Sequence, residues 1–318
     1  MLKVALIQNI VSSCKATNLS QVESKIKLAT KSGVKLVCLP EYFNCPFGSE
    51  DLLKQSENIP NGETYQMLSK VSKECAIWIV GGSIPELRAN KIYNSSMIFN
   101  PNGQLIGTYS KMHLFDSNRP IYKESETSVP GNGLFTFNIP LCKEKNITVG
   151  IGICHDLRFP EVAGIYTRNK KCNLLLYPAA FNMATGPAYW ELLGRGIALD
   201  NQCYVGLCSI ARDYEAYHIS YGHSLATDPW GKVICSLDEK SIKSLKHPYL
   251  EMDYLHLIFL YAKKKILRLV LVFAMIFDFL KLLESILEIK NAIYYYIPQH
   301  SIWLQDLHTG NYLVEESR

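Results

Sequence analysis

The stretch Ile147-Thr148-Val149-Gly150-Ile151-Gly152-Ile153-Cys154-His155-Asp156-Leu157-Arg158-Phe159-Pro160-Glu161 decides the fold class. Its first seven residues are mostly apolar and β-branched, which predicts a buried strand. Gly150 and Gly152 inside that run mark a sharp bend or a place where another backbone comes close. Pro160 predicts a helix running to about Arg168, because proline suits a first helical turn. A buried strand that feeds a helix is the working unit of an α/β protein.

The same alternation extends in both directions. Toward the N-terminus, Val4 to Ile7, Val34 to Leu39 and Ile77 to Val80 read as strands. Helices are predicted over Gln21 to Lys31 and Thr64 to Cys75. Met97 to Phe99 and Gln104 to Tyr109 flank the turn Asn100-Pro101-Asn102-Gly103, which predicts a hairpin. Toward the C-terminus, Leu174 to Tyr177 and Tyr204 to Ser209 read as strands around a helix from Trp190 to Asn201. Ser224 to Thr227 is expected to pair with Val233 to Cys235 across Pro229-Trp230-Gly231. The expectation is a mixed sheet architecture covered by helices.

The character changes near residue 238. A basic run, Lys263-Lys264-Lys265, precedes the apolar stretch Ile266 to Phe277. That stretch is interrupted by Arg268 and bounded by Asp278, and a membrane span needs about 20 residues. Extending it to Leu283 admits Asp278 and Lys281, which are costly in lipid. A membrane role is therefore disfavoured. Phe279 to Ile289 has helical periodicity through Leu280, Leu283, Ile286 and Leu287.

Composition narrows the class further. The chain has 318 residues, 48% hydrophobic and 19% charged, which supports a core and argues against disorder. A net charge of +4 gives no electrostatic footprint for nucleic acid. Ten cysteines without a C-x-x-C pair argue against a zinc ribbon and suit a reducing compartment. The N-terminal apolar run is too short for a signal peptide. The expectation is a soluble cytoplasmic protein, with a mitochondrial pool as the alternative, in which the Asn-x-Ser/Thr triplets at Asn18, Asn94 and Asn146 arise by chance.

Three polar residues each follow a predicted strand: Glu41, Lys111 and Cys154. Strand ends are where open α/β sheets place ligand groups. Glu41 after Pro40 suits a general base, and Lys111 suits stabilisation of a developing oxyanion. Cys154 stands just before a helix start, where a dipole favours thiolate. Taken singly, each also reads as an ordinary residue: a paired carboxylate, a surface lysine, a buried thiol. Cys154-His155-Asp156 is not expected to bind metal, because adjacent side chains point in different directions. Gly-x-Ser-x-Gly, Walker A and Gly-x-Gly-x-x-Gly motifs are absent.

Together, Leu39-Pro40-Glu41, Tyr109-Ser110-Lys111-Met112-His113-Leu114-Phe115 and Gly152-Ile153-Cys154-His155-Asp156-Leu157-Arg158-Phe159-Pro160-Glu161 resemble the three catalytic motifs of the nitrilase, or carbon–nitrogen hydrolase, superfamily. The stretches Glu41 to Gly48, Gly81 to Glu86, Tyr177 to Pro187, Trp190 to Leu193 and Asp200 to Gln202 are similar to its omega-amidase branch. The resemblance implies a four-layer α-β-β-α sandwich, here with an atypical C-terminal tail. The hydrolase domain is expected over 1–237, an atypical inserted segment over 238–276, read as translated intron or gene-model error, and a divergent tail over 277–318.

The resemblance also implies chemistry. Glu41 matches the base, Lys111 the oxyanion-stabilising lysine, Cys154 the nucleophile, and Glu124 a second glutamate. Arg158, Phe181, Asn182 and Met183 are expected to line the substrate pocket. The implied substrates are small ω-amides such as 2-oxoglutaramate and 2-oxosuccinamate, hydrolysed through a thioester without cofactor or metal. A homodimer is the implied assembly. The competing readings are a deaminated-glutathione amidase, an N-carbamoyl amidohydrolase, or a scaffold impaired by the altered tail. Two departures stand out: His155 where tyrosine is expected, and Ile197 where a second arginine is expected, a change that would leave a buried carboxylate unpaired.

Overall fold

The computed structural model describes residues 2–118, 121–142, 145–240, 249–252, 304–305 and 312–313. They fall into two units, Met1–Leu257 and Ile258–Arg318.

The first unit opens with β1 (Leu2–Leu6), α1 (Lys15–Thr30), β2 (Leu36–Cys38), α2 (Ser49–Gln55), α3 (Glu63–Cys75) and β3 (Trp78–Val80). Then come β4 (Ile84–Arg88), β5 (Lys91–Phe99), β6 (Leu105–Ser110), β7 (Asp116–Asn118), β8 (Ile121–Lys123), β9 (Thr136–Cys142) and β10 (Lys145–Ile151). The remainder is α4 (Pro160–Gly164), β11 (Leu174–Ala179), α5 (Gly186–Asn201), β12 (Tyr204–Ser209), β13 (Leu225–Thr227), β14 (Val233–Ser236) and β15 (Tyr249–Met252). In the second unit, β16 (Leu304–Gln305) and β17 (Tyr312–Leu313) pair antiparallel.

A seven-stranded sheet runs β15-β1-β2-β3-β5-β4, with β6 also on β5. A six-stranded sheet runs β14-β13-β12-β11-β10-β9. The centre of each is parallel, β1-β2-β3 in one and β10-β11-β12 in the other. Side chains alternate along a strand, so each strand of the first sheet serves two layers. Val4 and Leu6 join the core shared with the second sheet, while Ala5 and Ile7 pack with Val22 and Ile26 of α1 and Leu68 and Val71 of α3. In the second sheet all of β11 and β12 is buried, under Trp190 and Ala198 of α5 and Tyr166 after α4. The order is therefore helices, sheet, sheet, helices. Burying each large aliphatic side chain contributes about 1.5–3 kcal/mol, which makes the shared inter-sheet core the main stabilising feature.

Several boundaries differ from the sequence expectation. Helix α1 begins at Lys15, not Gln21, because its Cys14 end packs through Asn18, which is fully buried and bonded to Ser12 and Asn44. The short segments β4, β7 and β8 carry little apolar periodicity and were not expected; β9 was not expected either, although Phe137, Ile139 and Leu141 alternate along it and Phe137 and Ile139 join the shared core. The glycine reading also needs correction. A Cβ at Gly150 would strike the Tyr166 ring at 2.8 Å, and one at Gly152 the Tyr177 ring at 2.5 Å. Aromatic side chains, not a second backbone, occupy that space. Ile197 sits in the main core, and every buried carboxylate among the described residues has polar partners, so its expected orphan does not arise.

The edge strand β15 pairs antiparallel with β1 and lies within the span 238–276. Among the described residues no helix is long and apolar enough to cross a membrane. The expectations for Ile266 to Phe277 and Phe279 to Ile289 lie outside the described residues.

Candidate active site

Glu41 lies three residues beyond β2, in a loop that glycine makes possible. Gly82 has φ +57°, and a Cβ there would sit 2.2 Å from the Pro40 carbonyl oxygen. The close approach lets Ser83 N–H donate to Pro40 O at 3.1 Å and Tyr42 N–H donate to Ser83 Oγ at 3.1 Å. The Glu41 backbone is thereby held on both sides.

Lys111 follows β6 directly, and its N–H donates to Asn94 O at 2.8 Å, extending the β5–β6 ladder. Its ammonium reaches Glu41 Oε1 at 2.9 Å and Glu124 Oε2 at 2.8 Å. Glu124 opens a 3₁₀ turn after β8 and also accepts the Phe115 N–H at 2.8 Å. Asn94 Nδ2 donates to Glu41 Oε1 at 2.9 Å and to Glu124 Oε1 at 3.0 Å. All four side chains are buried.

Cys154 begins a five-residue 3₁₀ helix, Cys154–Arg158, with φ +46°. A non-glycine residue in the left-handed region carries strain that the surroundings must hold. Asp156 supplies the hold. Its Oδ2 accepts Ile153 N–H at 2.8 Å and the Tyr109 hydroxyl at 2.7 Å, and its Oδ1 accepts His113 N–H at 3.0 Å. Tyr109 and His113 flank Lys111, so one carboxylate ties the lysine segment to the cysteine turn.

Electrostatics follow from burial and proximity. Burial, the Glu41 carboxylate and their hydrogen bond push the Cys154 thiol well above its ordinary range, against the pull of Lys111 and the Ala180 N–H. The dipole of one short 3₁₀ helix does not offset removal of the sulfur from water, so the thiol needs the base beside it. Burial also raises Glu41, opposed by Lys111 and reinforced by Glu124. Burial works against the Lys111 charge, but Glu124 and Glu41 outweigh it and hold the ammonium well above its usual value. The resting arrangement is a neutral thiol beside a proton acceptor and a fixed cation.

A cavity over this cluster is lined by Glu41, Phe47, Lys111, Phe115, Cys154, His155, Arg158, Ala180, Phe181, Asn182, Thr185 and His218. This is the constellation of a covalent acyl-transfer site. The three motifs and the surrounding sheets match the carbon–nitrogen hydrolase family model over residues 3–245. The chain belongs to the carbon–nitrogen hydrolase family. It is 46% identical over 256 residues to the omega-amidase NIT2 of Danio rerio, covering 80% of this chain and 89% of that one. It is 47% identical over 235 residues to the omega-amidase NIT2 of Homo sapiens, covering 73% and 83%. The crystal structure of Saccharomyces cerevisiae Nit3, a member of branch 10 of the nitrilase superfamily, superposes with TM-score 0.69 at 40% identity, covering 76% and 87%. The four-layer sandwich is therefore the nitrilase fold.

Within this carbon–nitrogen hydrolase, Glu41, Lys111, Glu124 and Cys154 come together. Arg158, Phe181 and Asn182 border the same cavity. Arg158 is exposed at its edge with its guanidinium 4.7 Å from the Tyr189 ring centroid. Asn182 Oδ1 is already engaged by Ala184 N–H, Thr185 N–H and the Thr185 hydroxyl, so it shapes the turn into α5. Met183 is not brought into the group: it is absent from the lining, and its side chain is 39% exposed. The local turn points it outward, which its neighbours in sequence do not reveal.

Sequence reasoning missed His218, Phe47, Phe115, Thr185 and Asn94 as site residues. His218 Nε2 bonds Ala180 O at 2.8 Å, its ring stacks on Phe47 at 4.4 Å, and burial lowers its pKa. No local signal marks His218, which reaches the site from a loop after β12. His155 fills the expected tyrosine position with Nδ1 on Leu114 O at 2.9 Å, and burial lowers its pKa. Cys154, His155 and Asp156 thus face three different sets of partners.

Proposed function

We propose that this chain is an omega-amidase that hydrolyses the terminal amide of small ω-amides of dicarboxylic acids, of the 2-oxoglutaramate and 2-oxosuccinamate kind. The observation that carries the reading is the buried ammonium of Lys111 held between Glu41 and Glu124, with the Cys154 thiol hydrogen-bonded to Glu41 in the same cavity. The curated relatives named omega-amidase support the substrate class.

Glu41 takes the Cys154 proton as the sulfur attacks the amide carbon. The geometry suits concerted transfer, because a thiol held neutral by burial becomes nucleophilic only as its proton leaves. Lys111 faces the oxygen on which negative charge develops. One well-aimed donor of that kind is worth about 3 kcal/mol of barrier. The proton on Glu41 passes to the leaving nitrogen, ammonia departs, and Glu41 then activates water against the thioester. Glu124 and Asn94 fix the two working groups. Phe47, Phe115 and Phe181 exclude water from the reacting carbon, and Arg158 at the rim offers a cation to the distal carboxylate.

A homodimer accompanies this reading. The outer face of α5 exposes Leu192 (69%) and Leu199 (53%), seven residues apart and so on one side of the helix.

The deciding experiment is ammonia release by the purified full chain from a panel of amides. Turnover of 2-oxoglutaramate but not of N-carbamoyl-β-alanine or deaminated glutathione is expected. Preference for either of the latter would replace the proposal.

A further inference from the structure

Asn94 lies in β5, between β4 and β6, and has no exposed surface. Its backbone carbonyl accepts the Lys111 N–H at 2.8 Å, so it faces the lysine across the ladder. Its side-chain nitrogen donates to Glu41 Oε1 at 2.9 Å and Glu124 Oε1 at 3.0 Å. Its Oδ1 is buried and has no hydrogen-bond partner among the described residues. Leaving a buried amide oxygen unpaired is unfavourable. Flipping the amide would instead aim that oxygen at two carboxylates and forfeit both bonds. The charges therefore dictate which way the amide points.

We propose that Asn94 is a positioning residue for the hydrolysis: one amide nitrogen spans Glu41 and Glu124, seats both on Lys111, and leaves the second Glu41 oxygen for the Cys154 thiol. The inference rests on reading Cys154 as nucleophile and Glu41 as its base. Both hydrogens of the Asn94 NH₂ are committed, so Glu41 cannot swing from the sulfur without breaking a bond. The donor also favours the charged form of Glu41, the form that can take a proton. The titratable groups around Glu41 are Lys111 after β6, Tyr122 in β8, Glu124 just after it, Cys154 after β10, and its neighbour Tyr42. Lys111 acts in the same direction as Asn94, while burial and Glu124 oppose them.

The test uses the purified full chain and the variant Asn94→Leu, close in volume and unable to donate. Two readouts run in parallel: 2-oxoglutaramate hydrolysis, and alkylation of Cys154 by iodoacetamide, followed by peptide mass spectrometry from acid to neutral pH. The expected result is a kcat lowered roughly a hundredfold with KM within about twofold, because misplacing a reacting group acts on the chemical step. The acid limb of Cys154 alkylation should move up by about one pH unit, since a lost donor destabilises the Glu41 carboxylate. A lower Tm with an unmoved limb would mean a structural role alone and would overturn the proposal, as would a kcat within twofold of the parent. If Asn94→Leu does not fold, Asn94→Ser, which keeps a single donor, should move the same limb by a smaller amount, and no movement would again overturn it. A parent enzyme inert to 2-oxoglutaramate, with the alkylation limb still displaced in the variant, would fail the substrate reading and leave the Asn94 role standing.

Discussion

The Tyr109 hydroxyl donates to Asp156 Oδ2 at 2.7 Å, and this bond joins the strand that leads into Lys111 to the turn that begins with Cys154. The two catalytic motifs come from different sheets, so their relative position depends on such a cross-link. Asp156 is buried and accepts from His113 and Ile153 as well, which makes it the hub between the ammonium and the sulfur.

Tyr109→Phe is expected to destabilise the protein by about 1.5–3 kcal/mol, the worth of a hydrogen bond to a charged group. It should also lower kcat more than it raises KM. A double-mutant cycle with Asp156→Asn should give non-additive losses, because the residues share one bond. Additive losses in urea melts would contradict the linkage.

Cys154→Ala should bring ammonia release below a tenth of the parent rate and leave the Tm nearly unchanged, because the sulfur is replaced at little cost in packing. Trapping of the thioester by mass spectrometry in the parent, and its absence in the variant, provides the check.

Lys111→Met should be far more damaging to stability than an ordinary lysine substitution. It leaves Glu41 and Glu124 buried without their shared cation, and breaking a buried ion pair costs about 3–5 kcal/mol. Unfolding by urea measures it, and a loss under 1 kcal/mol, the range of an exposed pair, would show that the cluster is solvated.

The pH dependence follows from Glu41. Burial lifts its folded-state pKa above the ordinary carboxylate value, so the folded protein binds the proton more readily than the unfolded chain does. Its contribution to stability therefore increases as pH falls through the folded value. Its service as a base is lost over the same window. The acid limb of kcat/KM should lie above about 4.3, the usual glutamate value, and Glu41→Gln should abolish turnover throughout. A limb at or below that value would show a solvent-exposed base.

The dimer has its own test. Leu192→Glu combined with Leu199→Glu should convert the assembly to monomers in sedimentation velocity, since both side chains stand exposed on one face of α5. A parent chain that sediments as a monomer at micromolar concentration would remove the homodimer from the reading.

Much of the fold is legible in the chain because buried parallel strands are written as continuous apolar runs. Leu174 to Tyr177, which the structure extends to Ala179, and Tyr204 to Ser209 declare themselves this way. The short strands β4, β7 and β8 do not, because they carry too few apolar residues for a period to show, whereas in β9 the alternation of Phe137, Ile139 and Leu141 was there to be read. The site divides along a similar line. Short local signals (a proline-backed loop, a strand end and a glycine-flanked turn) mark Glu41, Lys111 and Cys154 as candidates, and the resemblance of the three motifs together implies their roles. Asn94 and His218 enter only through tertiary neighbours, and Asn94 first reads as a chance glycosylation triplet although it is completely buried.

By itself the sequence determined the α/β class and the main strands, since these depend on hydrophobic period, and it marked Glu41, Lys111 and Cys154 as strand-end candidates whose roles only the resemblance of their three motifs implied. Only the tertiary structure decided that Asn94 and Glu124 close around Lys111, that Asp156 binds the two sheets' motifs together, and that the thiol rests protonated. Those outcomes arise from distances of about 3 Å between groups far apart in the chain and from exclusion of water, neither of which is written in any local stretch of residues.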